Sequence, residues 1–203
     1  ACEAHGAENF GRKAGTLGKV ATFSFFFSHH LSTIEGGMVG TDDNTLAETV
    51  RSLRAFGWVR DMADKEAKAK ENPEIDPRFL FAFPGFNVRP TELQGAMGMH
   101  QVGRLEGYIA IRRENAAFWN AEFAKYSDWI ATQEERPMTR HTWFAYPVRV
   151  KESAPFTAKE LMAHLEANGV ECRPVEAGAM HLQPAMKLIN WRQGGPLTNA
   201  ENI

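Results

Sequence analysis

The stretch Phe23-Ser-Phe-Phe-Phe-Ser-His-His-Leu-Ser-Thr-Ile-Glu-Gly-Gly37 decides the fold. Its first residues belong to a β-branched and aromatic run, Val20–Phe27, which predicts a short buried strand. A hydroxyl and two imidazoles follow at Ser28, His29 and His30. Because ligands of open α/β sheets bind beyond the carboxyl ends of the strands, we expect these side chains to line a binding site. The alternative is that Ser28 and His29 only turn the loop.

The sequence on both sides of this stretch predicts further strands and helices. A strand is predicted over 36–41, followed by a helix that Asp42 or Asp43 caps and Gly57 ends, and by a charged, solvated segment over 60–76. A further helix begins at Thr91, and a break at Gly103 or Gly107 separates it from a long helix over 105–126. The last predicted elements are a strand over 143–150, a helix over 157–168 that begins with a capping box, and a strand over 170–173. This order predicts an α/β fold, with the later part of a large domain in 1–104 and a connecting helix plus a smaller α+β domain in 105–203.

The composition narrows the class of protein. The chain has 203 residues, a formal net charge of −2, 43% hydrophobic residues and 24% charged residues. These values are typical of a globular protein and exclude a disordered chain or a basic nucleic-acid-binding arm. No apolar run reaches the ~18 residues of a membrane span. With the charge balance above, we therefore expect neither nucleic acid nor a membrane as a partner.

Two distant cysteines, Cys2 and Cys172, favour a reducing, cytoplasmic setting. Because the chain starts at Ala1 and stops on what looks like a starting helix, we expect an internal piece of a longer protein.

Several motifs together resemble the DegT/DnrJ/EryC1/StrS family of sugar-nucleotide aminotransferases and dehydratases. The family's F-S-F…E-G-G segment stands at 23–37, after a glycine-rich turn at 11–18. Its second signature stands as Gly85-Phe-Asn-Val-Arg-Pro-Thr-Glu92, and Arg54-Ala-Phe-Gly57 is similar to its R-x-H-G. The resemblance implies a pyridoxal-phosphate-dependent protein of fold type I, represented here by the end of the large domain and a truncated small domain.

One residue departs from the family pattern in a way that changes the expected chemistry. The family's Schiff-base lysine position is occupied by His29. Imidazole cannot form the stable imine that a lysine amine forms, although it can accept and donate protons near neutral pH. A member with histidine here resembles the 3-dehydratases of 4-keto-6-deoxy sugar nucleotides. That subgroup holds pyridoxal or pyridoxamine phosphate noncovalently and uses the histidine as a base. The segments 171–178 and 191–199 are similar to dehydratase segments as well.

The resemblance also implies roles for five other residues. Ser24 is expected to bind the cofactor phosphate, and Glu3 stands near the position that faces the phenolic oxygen of the cofactor. Asn87 is expected to reach a phosphate of the neighbouring subunit, which implies a homodimer. Arg89 and Arg173 are expected to bind an anionic nucleotide or the carboxylate of the amino donor, with a structural ion pair as the alternative for each. His30, His141 and His181 are interpreted as surface or core histidines.

Three hypotheses for the function follow. The leading one is a pyridoxamine-phosphate-dependent 3-dehydratase acting on a 4-keto-6-deoxyhexose nucleotide in deoxysugar biosynthesis of the O-antigen type, with glutamate as amino donor. The second is a sugar aminotransferase, which needs a lysine at the cofactor, whereas Lys13 and Lys19 precede the strand. The third is a noncatalytic relative that has lost the lysine. Under the leading hypothesis the catalytic residue is His29. The fragment alone is not expected to be active, because the upstream cofactor contacts lie outside it.

No metal is expected at the site. One branch of the dehydratase subgroup carries an iron–sulfur cluster whose first ligands follow a W-G-R-D stretch. Here Trp58-Val-Arg-Asp61 is followed by Met62, and the next cysteine is Cys172. A thiolate cluster needs about four sulfur ligands, or two with two histidines, so the sequence favours the branch without iron.

Overall fold

The computed structural model describes residues 1–175 and 178–201. It contains two compact units: Ala1–Asn115 with Glu135–Phe144, and Ala116–Glu134 with Ala145–Ile203. The long helix α4 (Leu105–Phe123) contributes its beginning to the first unit and its end to the second. These units reflect packing within this chain, and the predicted domain boundary between residues 104 and 105 stays a prediction.

The first unit combines short antiparallel strands with helices. Strand β3 (Ala21–Ser24) pairs with β4 (Gly37–Gly40) in a two-stranded sheet, in a register that places Ser24 opposite Gly37. A second, three-stranded sheet has the order β2 (Arg12–Lys13), β1 (Glu8–Asn9) and β6 (Thr139–Arg140). The elements are β1 (Glu8–Asn9), β2 (Arg12–Lys13), β3 (Ala21–Ser24), β4 (Gly37–Gly40), α1 (Asn44–Leu53), α2 (Lys65–Glu71), a 3₁₀ turn (Pro77–Phe79), α3 (Glu92–Val102), α4 (Leu105–Phe123) and β6 (Thr139–Arg140).

Local sequence signals explain where these helices begin and end. The carboxylate of Asp43 accepts a hydrogen bond from the Leu46 backbone N–H at 3.1 Å and caps α1. Thr91 opens α3 in a capping box whose reciprocal partner is Gln94. Gly103 caps the end of α3 and separates it from α4, as predicted. Helix α1 ends at Leu53 rather than at the predicted Gly57, which lies in the turn beyond it.

The predicted strand over 20–27 is shorter and more exposed than expected. Only Ala21–Ser24 form a strand, and none of these four residues is fully buried. The prediction of a buried strand was therefore wrong for this chain, because within the described residues β3 has a single partner strand. The second predicted strand, over 36–41, is confirmed as β4.

Two motif glycines bring two family signatures into backbone contact. Gly57 has φ +82°, and a Cβ on it would lie 1.8 Å from the Phe83 carbonyl oxygen. A Cβ on Gly85 would lie 2.1 Å from the Gly57 nitrogen. The Phe56 N–H donates to the Phe86 carbonyl at 2.7 Å, and an isolated bridge pairs Ala55 with Asn87. The stretches 54–57 and 85–92 therefore form one rigid corner, which fixes the position of Asn87.

The second unit contains the end of α4 and the remaining elements. These are a 3₁₀ turn (Ala124–Tyr126), β5 (Ile130–Thr132), β7 (Val148–Val150), α5 (Ala158–Ala167), 3₁₀ turns at Met180–Leu182 and Pro184–Leu188, and α6 (Thr198–Glu201). The predicted capping box of Thr157 and Glu160 opens α5. The predicted strand over 143–150 is reduced to β7, and Trp143 at its predicted start has φ +50°, outside the strand region. Residues 170–173, predicted as a strand, are irregular and have no strand partner within the part of the chain that the structure describes. No helix among the described residues is both long and apolar enough to cross a membrane.

Candidate active site

The turn after β3 carries the first residues of the candidate site. Ser24 ends β3, and its Oγ accepts a hydrogen bond from the Phe26 backbone N–H at 3.3 Å. The Phe25 N–H donates to the Gly36 carbonyl, and the Thr33 N–H donates to the Phe25 carbonyl, each at 2.9 Å. These bonds close the loop on itself. They leave the hydroxyl hydrogen of Ser24 available to an acceptor such as a phosphate oxygen.

His29 lies in this loop with its two ring nitrogens in different environments. Its backbone N–H donates to the Phe26 carbonyl at 3.0 Å. Its ring meets the rings of Phe26 and Phe144 edge to face, with centroids 5.6 Å away in both cases. Nδ1 is buried without a hydrogen-bond partner among the described residues, whereas Nε2 is not buried. The loop therefore presents Nε2 as the nitrogen that can exchange a proton with a bound molecule.

Two further histidines are packed behind His29. His5 and His30 are both buried, with ring centroids 6.0 Å apart. His5 also contacts Phe23 at 5.3 Å and Phe25 at 5.8 Å, and His30 contacts Phe144 at 5.1 Å. Together these rings form one aromatic cluster. We call it the histidine cluster, and it consists of His5, His29, His30, Phe23, Phe25 and Phe144.

Burial keeps the two inner histidines neutral. The pKa of His30 is lowered from 6.5 to about 4, first by burial and then by the positive charges of Arg112 and His5. A hydrogen bond between the His30 ring and the Thr142 backbone opposes this shift only in part. Burial also lowers the pKa of His5, with the His29 charge as a smaller cause and the Cys2 backbone opposing. Near neutral pH each ring therefore has one N–H donor and one acceptor nitrogen.

Sequence reasoning missed the participation of His5 and Phe144 in this site. His5 lies in the Ala-His-Gly opening of the chain, where a single histidine has no distinctive spacing. Phe144 is distant in sequence from His29, so its contact depends on the tertiary fold alone. His30, interpreted as a surface or core histidine, is buried.

The other predicted site residues lie outside the histidine cluster. Asn87 and Arg89 are exposed neighbours: the Arg89 Nε donates to Asn87 Oδ1 at 3.4 Å, and its guanidinium lies 5.1 Å from the Phe56 ring centroid. Glu3 is exposed and has no ion pair within the described residues. Arg173 belongs to the second unit, where it forms an exposed ion pair with Glu171 at 3.2 Å. No hydrogen bond or ion pair of the described part joins any of them to His29, and their roles stay predictions. Within the segment 171–178, residues 176 and 177 lie outside the described residues.

The two lysines nearest to the strand in sequence are held elsewhere. The Lys13 Nζ lies 2.7 Å from a Glu8 carboxylate oxygen, and the Lys19 Nζ lies 3.3 Å from an Asp43 carboxylate oxygen. Within the described residues, no hydrogen bond or ion pair joins either amine to the histidine cluster. Among the described residues, no group of three or more histidine, cysteine, aspartate or glutamate side chains is arranged to hold a metal ion.

Comparison with known proteins identifies the family. The model of the DegT/DnrJ/EryC1/StrS aminotransferase family matches residues 1–203. The chain belongs to this family. It is 38% identical over 206 residues to GDP-4-keto-6-deoxy-D-mannose 3-dehydratase of Yersinia pseudotuberculosis, covering 100% of this chain and 51% of that protein. It is 36% identical to the enzyme of the same name from Escherichia coli O55:H7, covering 100% of this chain and 52% of that protein.

Solved structures confirm the predicted fold class. The E. coli GDP-4-keto-6-deoxy-D-mannose-3-dehydratase with bound hydrated PLP matches with a TM-score of 0.88 at 33% identity, covering 100% of this chain and 52% of that one. The chain thus spans about half the length of the relatives it matches. Both the family and the subgroup resemblance of the sequence are confirmed, because the dehydratases stand among the most similar relatives.

Proposed function

We propose that the full-length protein carrying this chain is a sugar-nucleotide 3-dehydratase that uses pyridoxal and pyridoxamine phosphate. Its substrate would be a 4-keto-6-deoxyhexose nucleotide, and its role would lie in deoxysugar biosynthesis for lipopolysaccharide O-antigen. The observation that supports this proposal is His29, a histidine whose Nε2 is not buried, at the position that the sequence resemblance assigns to the family's Schiff-base lysine.

The residues present fit a noncovalently held cofactor. Ser24 offers a hydroxyl donor at the end of β3, suited to a phosphate oxygen, and Glu3 would lie on the side of the phenolic oxygen. When bound, the cofactor supplies an amine that joins the C4 ketone of the sugar and an electron-accepting ring. His29 Nε2 would take the proton from the carbon that carries this amine. The resulting imidazolium would then donate a proton to the departing C3 hydroxyl, so one residue serves as both base and acid.

An aminotransferase fits the site less well. Lys13 and Lys19 have carboxylate partners, Glu8 and Asp43, so their amines are held by other groups. A 34% identical relative is named GDP-perosamine synthase, so overall similarity alone does not separate the two activities.

A solved structure of the dehydratase carries a histidine-to-lysine change beside a serine-to-asparagine change. This chain contains a single Ser-His dipeptide, Ser28–His29, which supports the assignment of His29 as the corresponding residue.

The relatives also suggest the substrate and the amino donor. Solved structures of the dehydratase hold GDP-perosamine in one case and glutamate joined to PLP in another. We therefore propose a GDP-linked sugar as substrate and glutamate as amino donor, with Arg89 and Arg173 as the side chains that bind the anionic groups. Both guanidiniums are exposed and able to bind an anion.

We further propose a homodimer in the cytoplasm. Asn87 is exposed at the end of the rigid corner, as expected for a residue that serves a neighbouring subunit. The two cysteines, Cys2 and Cys172, are free thiols, which suits a reducing compartment. Sedimentation of the full-length protein should show a dimer, and a monomer with full activity would contradict this part of the proposal.

The decisive experiment is a product assay on the full-length protein. Purified enzyme with pyridoxamine phosphate, glutamate and GDP-4-keto-6-deoxymannose should release a sugar that lacks the C3 hydroxyl. His29→Asn should keep cofactor binding and lose the dehydration rate by ~10²–10⁴-fold, the usual contribution of a general acid–base residue. His164→Asn, an exposed change on α5, serves as the control. A product with a new C4 amine and an intact C3 hydroxyl would establish an aminotransferase instead.

A further inference from the structure

One short turn, far along the chain from β3, contacts both histidines that follow that strand. The Phe144 ring meets the His29 ring edge to face, with centroids 5.6 Å apart and planes at 80°, and its centroid lies 5.1 Å from that of the His30 ring. In the same turn, the backbone of buried Thr142 forms a hydrogen bond with the His30 ring. We call residues 141–144 the support turn, because both histidine rings contact it.

The support turn contains a backbone conformation that is rare for a bulky residue. Trp143 has φ +50°, in the left-handed region. Its N–H donates to the His141 Nδ1 at 2.8 Å, and the centroids of the two rings lie 4.5 Å apart. A strained residue of this kind persists only where surrounding contacts hold it, and such residues cluster at functional sites. Phe144 follows directly, so the conformation of Trp143 helps to direct the Phe144 ring towards the two histidines.

An ion pair anchors the beginning of the support turn. The Arg113 Nη1 and Nη2 donate to the two Glu135 carboxylate oxygens at 2.6 and 3.0 Å. The same Nη1 donates to the His141 carbonyl at 2.7 Å, and the Glu135 Oε1 accepts from the His141 N–H at 2.6 Å. A bidentate pair of this kind fixes geometry as well as adding binding energy. Because its two side chains bind both backbone groups of His141, the pair fixes the place from which the support turn starts.

We propose that Phe144 is a positioning residue for His29 and that the Arg113–Glu135 pair holds it in place through the support turn. An aromatic ring set nearly perpendicular to the imidazole opposes rotation of that imidazole about its Cβ–Cγ bond, so the unburied Nε2 keeps one direction. Catalytic groups need to be held within about 0.5 Å and 10–20° of the productive geometry by neighbours that are themselves fixed. The effect on the reaction rests on the proposed function, whereas the orientation of His29 does not.

A double-mutant cycle on the full-length protein tests the effect on dehydration. Phe144→Leu should lower kcat about 10–100-fold with KM unchanged, because a misdirected base slows the chemical step without weakening substrate binding. Glu135→Ala should also lower kcat, and the double variant should be no slower than Phe144→Leu alone, since the ion pair acts through this ring. Glu122→Ala, which removes an exposed ion pair with Lys125 at 2.7 Å, is the matched control and should keep the wild-type kcat. A wild-type kcat in Phe144→Leu, or losses that multiply in the double variant, would overturn the proposal.

Crystal structures of the full-length protein separate this proposal from the proposed function. Wild-type protein should show one orientation of the His29 imidazole with the Phe144 ring against it, and Phe144→Leu should show that imidazole rotated or in several orientations. Glu135→Ala keeps the ring but should displace the support turn, so it tests the same rotation even if Phe144→Leu does not fold. An imidazole that keeps its wild-type orientation in either folded variant would refute the positioning role at any level of activity. If the imidazole rotates but the wild-type protein does not dehydrate, the proposed function fails and the positioning role stands.

Discussion

Acidification should destabilise the full-length protein through His30. The pKa of this ring is about 4 in the folded chain and 6.5 in its ordinary state. The unfolded protein therefore binds the proton more readily, and stability falls as pH drops below the unfolded pKa. From these two pKa values, His30 lowers the free energy of unfolding by about 2 kcal/mol at about pH 5 and by about 3 kcal/mol once the pH is below the folded pKa. Above about pH 7.5 this loss is close to zero.

The physical cause of this loss is local. Protonated His30 would be a second cation beside Arg112, buried at 3% exposure with His5, His29 and the Thr142 backbone around it. Arg112 itself cannot release its proton in this pH range, so the folded site cannot adapt. The pKa of His5 is lowered in the same direction, and its contribution adds to the same window.

Urea unfolding at about pH 7.5 and about pH 5 measures the effect. Wild-type protein should lose about 2 kcal/mol more between the two pH values than His30→Leu does, because leucine cannot titrate. Each protein is compared with itself at the two pH values, so the packing cost of the substitution, which is the same at both, cancels. His164→Leu, on the exposed face of α5, should behave as wild type. Equal pH dependence of wild type and His30→Leu would refute the reasoning.

Three other outcomes are expected. His29→Lys should place an amine where the family binds its cofactor covalently, giving a yellow, borohydride-reducible adduct with pyridoxal phosphate; a colourless variant that still binds the cofactor would contradict the assignment of this position. Anaerobically purified full-length protein should contain no stoichiometric iron by elemental analysis, since Met62 is packed in an apolar cluster with Val59 and Leu80 where the other branch has its first ligands. Gly57→Ala should lower the free energy of unfolding in urea by at least about 2 kcal/mol, because the methyl group overlaps the Phe83 carbonyl. The control Gly11→Ala has a positive φ as well but meets nothing within 4 Å, so it should lower that free energy by about 1 kcal/mol. Equal losses in the two variants would exclude the overlap as the cause.

Signals within a few residues of each other were sufficient to predict parts of the fold. The Asp43 cap, the box of Thr157 and Glu160 and the break at Gly103 are local, and each is found in the structure. The strand predicted over 170–173 was not found, because strand formation depends on a partner that composition does not specify.

The candidate site shows the same division between local and tertiary information. The position of His29 after a strand could be predicted from the motif, and the strand ends at Ser24 as that prediction needs. The contact with Phe144 and the buried pair of His5 and His30 could not, because they join segments that are distant in sequence. Neither the spacing nor the type of these residues carries information about such contacts.

The close approach of Gly57 and Gly85 limits how this protein can be redesigned. Trimming a neighbouring side chain often relieves a crowded position, but the obstructing atoms here are main-chain atoms that every substitution retains. A library aimed at a new nucleotide or sugar should therefore keep both glycines and vary the side chains that the corner displays, Asn87 and Arg89. Variation of that kind changes the chemical groups offered to a ligand while the loop that carries them keeps its place.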